Sequence, residues 1–129
     1  MRNGFYIIYN ISTTNQEVID KAVKLIVEYF EEEGIYEETC TIKKRVLKWY
    51  DAVKDIKGIG IKEIAAAAIS GNNPNNINWT KEDLIEWRDF YFVDENYLTS
   101  TIGRLDEILA EDNLHISELT DAMRDELWQ

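Results

Sequence analysis

The chain has 129 residues, enough for one domain that buries a core without a metal or disulfide staple. Its 45% apolar and 30% charged residues exclude chain-wide disorder. A formal net charge of −11 disfavours nucleic-acid phosphates and anionic membranes as partners and favours a basic protein.

No run of about 18 apolar residues spans a membrane. The apolar start, residues 5–9, is too short for a signal peptide and Asn10 interrupts it, so a cytoplasmic protein is expected. The lone Cys40 has no internal disulfide partner and is expected as a semi-buried small residue. Ile, Asn, Lys and Glu dominate and proline occurs once, a usage that fits a low-GC bacterium or its mobile elements.

The expected fold class is mainly α: about five helices in a compact bundle, one or two short N-terminal strands, and possible helix-turn-helix-like corners. Residues 4–11 read as a strand because Phe5, Tyr6, Ile7, Ile8 and Tyr9 suit a pleated, packed surface. Ser12 to Asn15 supply capping oxygens. A helix is expected over 16–33, with Val18, Ala22, Ile26, Tyr29 and Phe30 inward and Ile19, Val23 and Leu25 widening the stripe. Gly34 is its expected C-cap. Glu31, Glu32 and Glu33 sit at the unfavourable end of the helix dipole, which reads as a frayed, solvated charge run. Residues 35–41 are either a second short strand or a loop.

A second helix is expected over 42–56, with Val46, Trp49, Tyr50 and Val53 inward and Lys43, Lys44, Arg45 and Lys48 on its surface. After the Gly58-Ile59-Gly60 turn, 61–69 forms a third, alanine-rich helix. Residues 71–76 are the clearest loop. Thr80 caps a fourth helix reaching about Val93, with Asp83 completing an approximate capping box. A fifth runs from about residue 96 or 97 to 111, Asn113 breaks it, and a last helix follows Ser117 to about Trp128.

Charge is uneven along the chain. Residues 1–40 carry three basic and eight acidic side chains, 41–69 seven and three, and 70–129 four and fourteen. The middle is a basic belt, expected to pair internally with the acidic ends. Direct DNA binding is not expected; its best route is Lys43, Lys44, Arg45 and Lys48.

Segments 55 residues apart resemble each other. Asp51/Asp106, Ile61/Ile116, Glu63/Glu118 and Ala67/Ala122 are identical, and Val53/Ile108, Ile59/Leu114, Ile64/Leu119 and Ala68/Met123 are similar. Both read as helix, short turn, then helix, like the first two helices of a helix-turn-helix unit. Chance similarity and duplication both remain open. A DNA reader needs a basic recognition helix after the corner. The helix expected after the first corner carries Glu82, Asp83, Glu86 and Asp89 instead.

No catalytic or metal site is read, and no cofactor is expected. His115 is the only histidine, so neither a His-paired nucleophile nor a multi-His metal site can be built beyond it. Glu82/Glu86 and Asp121/Asp125 share helix faces as solvated pairs. Gly58-Ile59-Gly60 lacks the further glycine and lysine of a phosphate loop.

Residues 79–98 are the most informative. Trp79, Trp87, Phe90, Tyr91, Phe92 and Tyr97 stand among Glu82, Asp83, Glu86, Asp89, Asp94 and Glu95. On a helical wheel Leu84, Ile85, Trp87, Tyr91 and Phe92 share a broad face, while Phe90 falls on the other side beside Glu86. Either this helix is central and buried all round or ends before Val93, or it shows an aromatic residue among acids. In the second case Glu86, Asp89, Phe90, Asp94 and Glu95 form a partner-binding surface.

The function expected is that of an acidic inhibitor occluding a basic, nucleic-acid-binding site of a partner protein. In composition alone the chain resembles mobile-element inhibitors of the anti-CRISPR type; the resemblance covers no motif and carries over no residues. An immunity protein or antitoxin has the same physics, and a helix-turn-helix-derived regulator or adaptor is the third reading.

Overall fold

A computed structural model gives the fold. It describes residues 2–76, 78–92 and 101–118, with side chains from Gln16 in the first stretch and from Arg104 in the last. Five helices appear among them: α1 (Arg2–Glu33), α2 (Thr39–Val53), α3 (Ile61–Ser70), α4 (Lys81–Tyr91) and α5 (Thr101–Asp112). A 3-10 turn follows at Ile116–Glu118. The strand expected over 4–11 falls within the span of α1, in a stretch whose side chains lie outside the described ones. The last helix expected to Trp128 lies outside the described residues from 119 onward. No strand occurs among the described residues, and 35–38 is the loop of the two alternatives, with α2 already begun at Thr39.

Helix α1 ends as its sequence requires. Gly34 takes φ of 70°, its N–H reaches the Glu31 carbonyl at 3.3 Å, and the Ile35 N–H reaches the Phe30 carbonyl at 2.8 Å. This paired closure satisfies two orphan carbonyls and lays Ile35 back over Phe30. Val18, Ile19, Ala22, Val23, Ile26 and Phe30 are buried, while Tyr29 and Leu25 pack half-buried at the edge of that stripe. On α2, Val46, Trp49, Tyr50 and Val53 are buried, together with Ile42.

The central element is α3. Every residue from Ile61 to Ala68 is buried, and α1, α2, α4 and α5 all pack on it. Four consecutive alanines make this possible, since small side chains let neighbours approach on all sides while favouring the helix. Burial of the first turn brings in charge: Lys62 and Glu63 are both buried. Trp49 meets Trp79 and Trp87 at 5.4 and 5.8 Å between ring centres, joining α2 to the loop before α4 and to α4 itself.

The two corners at an offset of 55 share local geometry. Gly58 and Asn113 both have positive φ, 81° and 55°. Ile61 and Ile116 are both buried. Glu63 accepts from the Gly60 N–H and Glu118 from the His115 N–H, each at 3.0 Å. The corners also touch, through the Gly58 N–H and the Leu114 carbonyl at 2.9 Å. The symmetry stops at the aspartates. Asp106 reaches the N-terminus of α3, accepting from Ile61 at 2.9 Å and Lys62 at 3.3 Å, whereas Asp51 is exposed and pairs with Lys54.

Candidate partner-binding surface

Helix α4 begins at a reciprocal capping box. The Thr80 hydroxyl accepts from the Asp83 N–H at 3.3 Å, and the Asp83 carboxylate accepts from the Thr80 N–H at 2.7 Å. Leu84 is fully buried, and Ile85, Trp87 and Tyr91 are half-buried around it. Arg88 fixes the rotation of the helix, donating to the buried Glu63 carboxylate of α3 at 2.7 Å. Burial alone would lower the Arg88 pKa, but Glu63 and Asp89 hold it above its usual value.

That rotation sends Phe90 outward, about 100° round the helix from Tyr91. Phe90 is 76% exposed, and Glu86 and Asp89 beside it are exposed too. The central, fully covered helix is α3 and not α4. Asp89 is not a free charge, because its carboxylate accepts from Arg88 at 3.0 Å. Asp94 and Glu95 lie outside the described residues.

Phe90 heads a series of ring contacts. It meets Tyr91 at 4.9 Å, Tyr91 meets Tyr29 of α1 at 5.6 Å, and Tyr29 meets Phe30 at 6.2 Å. Tyr29 also touches Phe92 at 6.0 Å, and Lys62 lies 5.7 Å from the Phe92 ring centre. Burial, then Glu33 and Tyr91, hold the Tyr29 phenol above its ordinary pKa. The edge-to-face contact with half-buried Tyr91 favours this placement of the exposed Phe90 ring by about 0.5–1.5 kcal/mol. The ring presents an apolar contact with carboxylates beside it for Lys or Arg.

The remaining singled-out residues are dispersed. Cys40 is exposed at the start of α2, 3.5 Å from the Glu38 carboxylate, and not semi-buried as expected. Only one residue separates it from the loop, so no helix neighbour covers it. His115 is half-buried at the 3-10 turn. Among the described residues no group of three or more His, Cys, Asp or Glu side chains is placed to hold a metal ion. No described helix is long and apolar enough to cross a membrane. In the basic belt, Arg45 pairs with Glu37 and Lys54 with Asp51, while Lys44 and Lys48 face solvent.

Sequence reasoning missed the exposed apolar pair Ile35 and Tyr36 in the α1–α2 turn. A signal was present: two large apolar residues straight after a helix-stopping glycine, inside a run of glutamates. The Arg88–Glu63 pair had no such signal, since the two are 25 residues apart and on different helices.

Comparison with protein-family models, curated proteins and solved structures finds no match.

Proposed function

We propose that the chain is an acidic inhibitor that docks on a basic, nucleic-acid-binding site of a partner protein, in the manner of mobile-element inhibitors such as the anti-CRISPR type. Phe90, exposed beside Glu86 and Asp89 on a helix locked by Arg88, is the observation that carries this reading. Aromatic residues make strong interface anchors when desolvated, and carboxylates at the rim steer Lys- and Arg-rich surfaces toward them. The net charge of −11 acts in the same direction over longer range. Asp94 and Glu95, the next acids in the sequence, are proposed as part of the same binding set. An immunity protein or antitoxin would use the same surface on a toxin.

The paired corners favour the reading as a helix-turn-helix-derived regulator. Against it, α3 is covered on all sides, and α4 shows Glu82, Glu86 and Asp89 to solvent. Neither helix is ready to enter a major groove.

The test is displacement. Titrating the chain into a preformed complex of a basic candidate partner and fluorescein-labelled duplex DNA should release the DNA, and Phe90→Ala should shift the midpoint upward. A ternary complex that keeps its DNA would remove the occlusion reading.

A further inference from the structure

A second place on the described surface sets exposed apolar groups among carboxylates. Where α1 turns into α2, a shallow pocket of about 180 Å³ is lined by Val27, Phe30, Ile35, Tyr36 and Ile42, with Glu31 and Glu37 among its walls. The volume suits one medium-sized apolar side chain, being close to that of a benzene-sized cavity of about 150 Å³. Tyr36 is 87% exposed and Ile35 49%. The Gly34 closure of α1 holds Ile35 in place over Phe30, so the apolar wall is built into the turn. Glu31 at its wall is exposed, and Glu32, Glu33 and Glu38, its neighbours in sequence, are exposed too. Glu37 is half-buried and already paired with Arg45.

We infer that this pocket takes a single apolar side chain from a basic segment of a partner protein, with Lys or Arg on both sides of that side chain. The inference rests on the reading of the chain as a binder of basic protein surfaces, and adds a second anchor with its own recognition chemistry. From residue 31 to 41 there are five glutamates and no basic residue. Arg45 offsets Glu37, and the remaining four charges still favour cationic over phosphate or carboxylate ligands. The apolar floor then selects among cationic segments, because a purely hydrophilic one leaves Ile35 and Tyr36 wet. Phe30 forms one wall and ends the series of ring contacts that begins at Phe90.

The experiment titrates the ¹⁵N-labelled full chain with two acetylated, amidated peptides: Lys-Lys-Leu-Lys-Lys and the same peptide with glycine in place of leucine. The leucine peptide should move the amide signals of residues 30–42 and bind about tenfold more tightly than the glycine peptide, as one buried leucine implies. Tyr36→Ala should weaken it by about tenfold with the melting temperature unchanged, and Ile35→Ser by a similar factor with a small fall in melting temperature, since Ile35 also packs at the end of α1. Glu31→Gln combined with Glu33→Gln should weaken it several-fold, more so at low salt. Leu47→Ala, at an exposed position on α2, should change nothing. Equal affinity for the two peptides would overturn the pocket, leaving only charge. Shifts at 81–92 without shifts at 30–42 would overturn it too, while leaving the reading of the chain as a binder of basic surfaces standing. No shift with either peptide at millimolar concentration would remove both.

Discussion

Asp106 is a helix cap delivered from another helix. Its carboxylate satisfies two N–H groups at the buried start of α3, and a Cβ at residue 60 would overlap it. Gly60 is therefore required for close approach and not for backbone freedom. Asp106→Ala should cost about 3 kcal/mol of stability, because it leaves two buried donors unsatisfied at the positive end of a dipole, and Asp106→Asn about 1 kcal/mol. Chemical denaturation of the two variants checks this. Equal losses would mean that volume, and not the accepting oxygen, matters at this site. Gly60→Ala should fall nearer the alanine variant. In the sequence the aspartate showed only as one identity of the offset-55 resemblance. Its capping role was not legible, since Asp51, its counterpart, caps nothing. The ion pair of Arg88 with the buried Glu63 is a second such polar contact between helices. Arg88→Met should cost roughly 2–3 kcal/mol, less than the ~3–5 kcal/mol for breaking a fully buried pair, because Arg88 keeps some contact with water. If Arg88→Met left stability unchanged, the pair would not be what holds α4 against α3.

At the scale of elements, periodicity and capping chemistry were sufficient wherever a helix has one wet face. The α1 stripe, the α2 core positions and the Thr80–Asp83 box follow from spacing alone. Boundaries shifted where a helix runs beyond its apolar pattern: α2 begins at Thr39 and not at residue 42, with 39–41 all exposed. The centrality of α3 was hidden, because a run of alanines reads equally well as a surface helix of high propensity. Burial of Lys62 and Glu63 depends on partners from elsewhere in the chain. The outward turn of Phe90 follows from the inward placement of Leu84, Trp87 and Tyr91, and this gives a prediction. Phe90→Ala should change the melting temperature by less than about 2 °C, because little apolar area is buried there. It should weaken partner binding by roughly 1–3 kcal/mol. A change in a buried aromatic would instead remove about 3–5 kcal/mol of stability. A melting curve beside the displacement assay separates the two outcomes. A large fall in melting temperature would retire Phe90 as an anchor.

For the whole molecule, pH and salt probe how the charges are arranged. Burial raises the Tyr50 phenol above its ordinary value of 10.0; nearby Lys54 lowers it, and Asp51 and Asp55 raise it. Below that value both folded and unfolded chains keep the proton, so Tyr50 introduces no pH dependence there. As pH rises further, the unfolded chain releases its proton first and is favoured. Stability should therefore be lost on the alkaline side as pH climbs through the folded-state value. Tyr50→Phe should flatten that limb of a denaturation-against-pH curve; an unchanged limb would assign the loss to other groups.

Salt should move stability and binding in opposite directions. The chain carries −11 in 129 residues, and few of its described carboxylates are engaged by the ion pairs seen on α2 and α4. Self-repulsion of such a chain opposes compactness. Raising sodium chloride shortens the screening length from about 30 Å at 0.01 M to about 10 Å at 0.1 M, shorter than the span of the molecule. Repulsion between distant acids is removed first, while close pairs such as Arg88–Glu63 are partly shielded by burial. The melting temperature should then rise by about 3–5 °C, which corresponds to roughly 1 kcal/mol for a domain of this size. Over the same range, affinity for a basic partner should fall steeply, because the attraction that draws it in acts over the distances being screened. Chloride is the anion to use, since sulfate also stabilises through exclusion from apolar surface. A melting temperature that fell with salt would show that attractive pairs outweigh repulsion. Affinity unchanged by salt would leave Phe90 and the α1–α2 pocket as purely apolar contacts, with the acidic charge serving another end.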